Sequence, residues 1–217
     1  MVAGSWSLAT FHLLPATCHF VLRLPSFVRP PSTVIRLPSM PSPEQLKQDA
    51  LRAFQADQLG DAAEKFAAAA QAFADSGDPG AAAEMKNNLC VVRLAEKQWD
   101  AALAAVEGTP KIFHDLGDRL REAQALSNLA AAHDGAGHLD RAAELYTQAI
   151  DLFAALGEKE NRAACLKALS ALQIKQGKQF QALASMDAAL NQTPKLTARE
   201  KTLKGLINQA MRLIRRG

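Results

Sequence analysis

Residues of one kind recur every forty positions along this chain of 217 residues. The clearest column contains four alanines, each followed four positions later by a larger residue: Ala62, Ala102, Ala142 and Ala182, followed by Phe66, Val106, Tyr146 and Met186. Three more columns keep the interval: Phe73, Phe113 and Phe153; Gly77, Gly117 and Gly157; Asp78, Asp118 and Glu158. A constant period of this length is typical of stacked units that cannot bury a core alone. Such an array favours a surface that holds a partner over a pocket for chemistry.

Breaks in the pattern predict two helices in each unit. Ser42-Pro43-Glu44 supplies a capping hydroxyl, a proline at the first helical position and an acid in the first turn. Gly77 suits a left-handed helix end, and Asp78-Pro79 then starts the next helix. The predicted helices are 43–56, 59–75, 79–96, 99–115, 119–135, 138–155, 159–176 and 179–191. We therefore expect an all-α fold of stacked antiparallel helix pairs.

The units resemble tetratricopeptide repeats, whose pattern is W-x2-L-G-x2-Y followed by A-x3-F. The third unit matches best, with Leu126-x2-Leu129-Ala130-x2-His133 and then Ala142-x3-Tyr146. The resemblance covers 43–192, divided into units 43–78, 79–118, 119–158 and 159–192. It implies a right-handed α-solenoid that acts as a protein-binding scaffold. The period of forty, rather than 34, implies longer second helices.

Charge and cysteine content exclude several classes of function. The formal net charge is +3, but residues 44–194 alone have a net charge near −6. The repeats would repel phosphates, so we expect no nucleic-acid partner. The three cysteines lie far apart, which disfavours both a disulfide framework and a zinc site: Cys18, Cys90 and Cys165. We therefore predict no metal and no cofactor, and the chain has no apolar run long enough for a membrane-spanning helix.

The segment 1–42 is predicted to be a disordered extension. It is rich in Pro, Ser, Leu and Phe, and it contains no acidic residue. One interpretation is an organelle transit peptide, since such peptides are poor in acids. The other is that Met40 is the true start, in which case the residues before it are an artefact of gene prediction and the expected location is the cytoplasm.

The segment 193–217 is predicted to form a basic amphipathic helix that caps the array. Thr197 and Glu200 match a capping box, and one face of the helix is apolar: Leu203, Leu206, Ile207, Ala210, Leu213 and Ile214. Terminal repeats need such a cap to cover their exposed face. The alternative is a peripheral membrane or complex-assembly factor, in which this helix makes weak contact with anionic lipid or an acidic partner.

The resemblance also implies where a partner binds, because in this family the first helix of each unit lines the concave surface. The i, i+4, i+7 positions of those helices predict a groove for a peptide or helix of an unidentified partner. They are Lys47, Leu51 and Phe54; Asn87, Val91 and Leu94; Ser127, Ala131 and Asp134; Lys167, Ala171 and Ile174. Asn88 and Asn128 lie one interval apart beside the groove, where an amide suits a bond either to a partner's backbone or to neighbouring helices.

Chaperone-binding members of the family capture a carboxylate tail with five polar residues. Lys47 and Asn88 match two of them, but Leu51, Gln124 and Asn128 stand where Asn, Lys and Arg are needed. Capture of a chaperone tail is therefore disfavoured.

Catalysis has little support in the sequence. His133 occupies a position that is usually aromatic in the family, which indicates a packed histidine. No metal-ligand spacing, phosphate loop or catalytic triad is present. We predict a non-enzymatic protein–protein interaction scaffold.

Overall fold

The computed structural model describes residues 41–214, which form ten α-helices and no strand. In chain order they are α1 Pro43–Gln55, α2 Leu59–Asp75, α3 Pro79–Ala95, α4 Trp99–Val106, α5 Thr109–Asp115, α6 Arg119–Gly135, α7 Leu139–Leu156, α8 Lys159–Lys175, α9 Gln179–Gln192 and α10 Ala198–Ile214. The predicted N-terminal extension lies almost wholly outside the described residues. Helices pack in sequential pairs, α1 with α2, α3 with α4, α6 with α7 and α8 with α9. The all-α prediction is therefore confirmed.

The helix starts follow the predicted local chemistry. Ser42 and Gln45 form a capping box, in which the Gln45 N–H donates to Ser42 Oγ at 3.2 Å and the Ser42 N–H donates to Gln45 Oε1 at 2.8 Å. Asp78 and Asp118 accept bonds from the N–H groups three residues on, at 2.8 and 3.0 Å. These side chains satisfy backbone donors that a helix start leaves unpaired.

Residues with positive φ recur at the turns with the same interval. The turns between pairs contain Gly77, Gly117 and Gly157, with φ between 74 and 80°. The turns within pairs contain Asp57, Lys97, Gly137 and Gly177, with φ between 58 and 83°. Glycine adopts this backbone geometry without steric cost, and it reverses the chain after a helix. The period in sequence is therefore also a period in backbone conformation.

The predicted helix 99–115 is wrong, because the structure divides it into α4 and α5. Gly108 has a φ of 80°, and Pro110 has no N–H to donate to the Val106 carbonyl four residues earlier. The Thr109 hydroxyl donates to that carbonyl instead, at 2.9 Å, and its side chain is buried. The break therefore leaves no unpaired carbonyl at Val106.

The repeated alanines occupy matching places in the second helices. Each is the fourth residue of α2, α4, α7 or α9, and each is buried: Ala62, Ala102, Ala142 and Ala182. Three of the larger partners are buried too, namely Phe66, Val106 and Tyr146, and the buried column Phe73, Phe113 and Phe153 follows them. A small residue at this place lets two helix backbones approach, and the larger residue fills the space beside them.

The first helices approach one another more closely than the second helices do. α3 contacts α6, and α6 contacts α8, whereas within residues 41–214 no comparable contact joins consecutive second helices. Elements that lie closer together are on the inner side of a curved stack. The first helices α3, α6 and α8 therefore lie on the inner side, and α1 is joined to α3 by the ion pair between Lys47 and Glu84.

The C-terminal helix α10 packs against α9 and is tied to α8 by an ion pair. Lys167 Nζ lies 2.7 Å from Glu200 Oε1. The predicted capping box is confirmed, since the Thr197 N–H donates to Glu200 Oε2 at 2.9 Å and the Glu200 N–H donates to Thr197 Oγ1 at 3.3 Å. Ile207 is buried, but Leu203 and Leu206 are exposed, so α10 covers the last pair only in part. The side chains of Leu213 and Ile214 lie outside the described residues.

The ion pair at Glu200 gives a pH-dependent prediction. The hydrogen bonds from Lys167 and Thr197 lower the pKa of Glu200 from 4.5 to about 2. Because the folded pKa is below the unfolded one, the ionised carboxylate stabilises the folded state above pH 4.5, and this stabilisation falls as the pH drops towards 2. In an NMR titration we expect a Glu200 midpoint near 2 in the wild type and a higher one in Lys167→Met. A wild-type midpoint at the ordinary value would contradict the contact.

Candidate functional site

The predicted groove residues lie on α1, α3, α6 and α8, the first helices of the four pairs. We call this surface the concave groove; its residues are Lys47, Leu51, Phe54, Asn87, Asn88, Val91, Leu94, Ser127, Asn128, Ala131, Asp134, Lys167, Ala171 and Ile174. Phe54 and Ile174 are 37% and 61% exposed, Ala171 is exposed, and the other members are half-buried. Side chains in the groove therefore remain accessible while part of each packs on the fold.

Polar contacts join neighbouring first helices along the concave groove. Lys47 on α1 forms an ion pair with Glu84 on α3 at 2.9 Å. The Asn128 amide on α6 donates to Asn87 Oδ1 on α3 at 3.0 Å. Lys175 on α8 contacts both carboxylate oxygens of Asp134 on α6, at 2.7 and 2.9 Å. The same polar groups that a partner would meet therefore also fix the spacing of the first helices.

The two asparagines beside the groove have different surroundings. The Asn128 amide is engaged by Asn87, which corresponds to the interpretation that these amides bond at the seam between helices. The half-buried Asn88 side chain forms no hydrogen bond with any other described residue. Its amide offers both donors and an acceptor, so it suits a partner's peptide backbone better than Asn128 does.

Three apolar members of the groove also contribute to the core, and one of them, Ala131, packs against the cluster that contains Leu145 and Tyr146. Leu51 packs against the N-terminal core cluster, which contains Phe66, Phe73 and Met85. Leu94 packs against a second cluster around Cys90 and Val106. Phe54 and Val91 are not part of a core cluster, and they are the apolar groove residues of the first two pairs that are best placed to meet a partner.

Ser127 and Lys167 are also engaged with neighbouring elements. The Cys165 thiol lies 3.3 Å from Ser127 Oγ, and Lys167 holds Glu200.

Burial raises the pKa of the Cys90 thiol to about 12, and it raises that of Cys165 as well. Thiols that stay protonated are poor nucleophiles, so these two cysteines act as small buried hydrophobes.

The histidines are paired with other side chains near helix ends. His133 Nδ1 lies 3.2 Å from His138 Nδ1. Burial is the main cause that lowers the pKa of His133, and the charges of His138 and Arg141 lower it further. His114 contacts Glu122 at 3.2 Å, and Arg119 holds the same carboxylate at 2.7 Å.

Within residues 41–214, no cluster of three or more His, Cys, Asp or Glu side chains has the geometry to hold a metal ion.

The break between α4 and α5 opens a cavity that the sequence reasoning missed. It has a volume of about 550 Å³, and its lining includes Leu103, Gly108, Leu129, His133 and Leu145. The signal was present in Gly108-Thr109-Pro110, because Gly and Pro in one short stretch interrupt helices. The regular period of forty residues predicts one continuous helix over 99–115 instead.

Trp99 fills the space between neighbouring helix pairs. Its ring lies against Gly135 of α6, where a Cβ atom would come within 2.6 Å of Trp99 Cδ2. The indole therefore acts as a wedge between α4 and α6.

None of the helices described here combines the length and the apolar character needed to cross a membrane.

Comparison with known proteins relates this geometry to a family. The structure is similar to the solved structure of the MamA RS-1 ArsTM double mutant, with a TM-score of 0.55 and 19% sequence identity over 69% of this chain and 74% of that chain. At this identity the likeness shows the fold alone. No curated protein matches the sequence significantly. The family model for the tetratricopeptide repeat matches residues 81–155, which contain most of the second and third helix pairs. Together with the matching hairpins and the similar solved fold, this match supports a tetratricopeptide repeat protein.

Proposed function

We propose that the protein binds a peptide or helix of a partner protein in the concave groove. Tetratricopeptide repeats serve as scaffolds for protein–protein interaction and are generally not enzymes. The proposal extends this general role to a particular surface of this chain. Its partner remains unidentified.

The observation that carries the proposal is the row of accessible side chains on successive first helices. Phe54 and Val91 offer apolar contacts, and the Asn88 amide between the helices offers hydrogen bonds. A surface with apolar anchors and a few polar groups suits a short peptide or an amphipathic helix. The contacts between Asn87 and Asn128 and between Lys47 and Glu84 hold the helices that present it. A groove fixed before binding loses less entropy when the partner arrives.

A chaperone tail remains disfavoured as the bound segment. Lys47, one of the two matching residues, is already paired with Glu84 at 2.9 Å. Asn128, at a place that needs a cation, bonds to Asn87. A free carboxylate would therefore find few unpaired charges on this surface.

We further propose that the protein is not an enzyme. The two buried thiols have raised pKa values, and His133 pairs with His138 near the charges of Arg141 and Glu107. A general base needs a pKa near neutrality and access to a substrate proton. The lowered pKa of half-buried His133 and its pairing fit a structural role better.

The double variant Phe54→Glu, Val91→Glu is expected to lose partner binding and to keep its fold. Two carboxylates placed among apolar contacts would be desolvated by a bound peptide, which costs at least about tenfold in affinity. Affinity purification with quantitative mass spectrometry should show partners that bind the wild type and are depleted in the variant. Far-UV circular dichroism and thermal melting should remain close to the wild type. Leu51 is left unchanged because it also packs on the core.

Ala68→Glu is the matched control, because this exposed alanine lies on α2, outside the concave groove. It should retain the full set of partners. Partners that persist in the double variant, or that also disappear in the control, would overturn the groove assignment.

A further inference from the structure

A second groove lies between the last helix pair and α10. We call it the C-terminal groove; it has a volume of about 380 Å³, and its lining is almost entirely apolar. Ile174 on α8, Leu183 and Met186 on α9, and Leu203 and Ile207 on α10 form its walls. It is open because α10 meets α8 near Glu200 and covers the last pair only in part.

Large apolar side chains are exposed around this groove. Phe180 is 73% exposed, Ile174 61% and Leu206 59%, and Leu203 is exposed as well. Isolated exposed apolar residues are ordinary, whereas Ile174 and Leu203 lie together in the lining of one apolar groove, which indicates an interaction site. The predicted capping helix α10 leaves these side chains exposed.

Cations border the apolar surface of α10. Arg199, Leu203, Leu206 and Ala210 follow the spacing i, i+4, i+7 and i+11, so they share one stripe of the helix. The α10 cations Arg199, Lys201, Lys204 and Arg212 form no ion pair with any residue of the described part of the chain. The only acid of α10, Glu200, is already held by Lys167. The helix therefore presents uncompensated positive charge beside an apolar groove.

We propose that the C-terminal groove binds an amphipathic helix of a partner protein, whose apolar face is bordered by acidic residues. Apolar residues one turn apart on that helix would enter the space between Ile174 and Leu203. Its carboxylates would meet Arg199 and the other α10 cations, which favours fast and specific association. The C-terminal groove shares Ile174 with the concave groove but contains neither Phe54 nor Val91, and the proposal rests on the proposed function only in that its ligand is a protein.

The same observations disfavour two other occupants. A second copy of the chain docked through its own α10 would bring like charges together, which costs binding energy. A bilayer fits the charge, but the apolar lining is recessed between three helices, and Ile207 is buried. A recess of this kind receives inserted side chains, as in other complexes of a helix with a groove.

The test measures binding of a defined probe to the full chain by fluorescence anisotropy. The probe is a labelled synthetic helix of about four turns, with leucine at i, i+3, i+4 and i+7 and glutamate in the flanking turns. A peptide of the same composition without this leucine spacing should bind at least about tenfold more weakly. Added salt should weaken binding of the probe, because exposed charges are screened.

Variants of the groove should separate its apolar and its charged contributions. Ile174→Glu and Leu203→Glu are each expected to weaken probe binding about tenfold or more. Arg199→Glu should weaken binding less and reduce its dependence on salt. Leu156→Glu is the control, since this leucine of α7 is exposed to nearly the same degree as Leu203, 42% against 39%. The Phe54→Glu, Val91→Glu variant should bind the probe like the wild type, which separates this test from that of the concave groove.

Four results would overturn the proposal. They are unchanged affinity in Ile174→Glu and Leu203→Glu, equal binding of the peptide without the leucine spacing, flotation of the chain with phosphatidylserine vesicles that Leu203→Glu abolishes, and self-association in sedimentation that Leu203→Glu abolishes. The last two would assign the groove to a lipid surface or to a second copy.

Discussion

Replacing Phe66 with alanine is expected to lower the free energy of unfolding by about 3–5 kcal/mol. The ring is buried between α1, α2 and α3, where it belongs to the same core cluster as Phe73 and Met85. The change removes buried apolar surface and leaves a cavity, because a close-packed core collapses only in part. Domains of ordinary stability have about 5–15 kcal/mol in total. Phe66→Ala should therefore leave little margin, and it should shift the urea midpoint strongly.

The matched control for this change is Phe54→Ala, which removes the same side chain from an exposed place on α1. Its expected cost is below about 1 kcal/mol. Both values come from urea unfolding followed by far-UV circular dichroism. If the two variants lost equal stability, the repeated bulky column would not be the source of cohesion between the helices.

Gly135→Ala is expected to destabilise the protein by about 1–3 kcal/mol, although alanine is the better helix former. Gly135 is the last residue of α6, and a Cβ atom there would lie 2.6 Å from Trp99 Cδ2 and 2.8 Å from Trp99 Cζ3. The indole would have to move, and with it the contact between α4 and α6. The steric cost should exceed the gain in helix propensity, so the sign of the effect is the test.

Gly205→Ala, in contrast, is expected to increase the stability of the protein. Gly205 lies within α10, and a Cβ atom there would meet no atom within 4 Å. Alanine should stabilise that helix by roughly 0.5–1 kcal/mol. Combining Gly135→Ala with Trp99→Leu should cost less stability than the sum of the two single changes, because the smaller side chain removes the clash. Stabilisation by Gly135→Ala alone would show that Trp99 is not wedged against α6.

The period made the helix pairs predictable, because small, bulky and turn residues each recur at places that a hairpin requires. Ala102 and Ala142 occupy matching positions for this reason, and so do Gly117 and Gly157. The forty-residue period predicts one continuous helix over 99–115, and it does not predict the break at Gly108. Where Gly and Pro stand close together, the local backbone preference prevailed over the pattern.

The sequence predicts which helix faces form the candidate site, but it does not predict the contacts between their side chains. Helical spacing places Asn87 and Asn128 on the inner side, but it does not show that they bond to each other across two helices. That contact depends on the distance between α3 and α6, which many side chains set together. The same reason explains α10: spacing predicts its apolar stripe, whereas the exposure of Leu203 depends on how the helix lies on the last pair.

Positive φ recurs every twenty residues, at 57, 77, 97, 117, 137, 157 and 177. This regularity affects how a protein of this kind can gain or lose whole repeats. Each turn from α1 to α9 that joins two helices within a pair or two neighbouring pairs contains a residue with positive φ, so a duplicated or deleted block of two helices would rejoin its neighbours with correctly shaped ends. Growth or shortening by whole blocks therefore needs no new kind of turn. The open end at α10 is where an added block would find an apolar surface to cover.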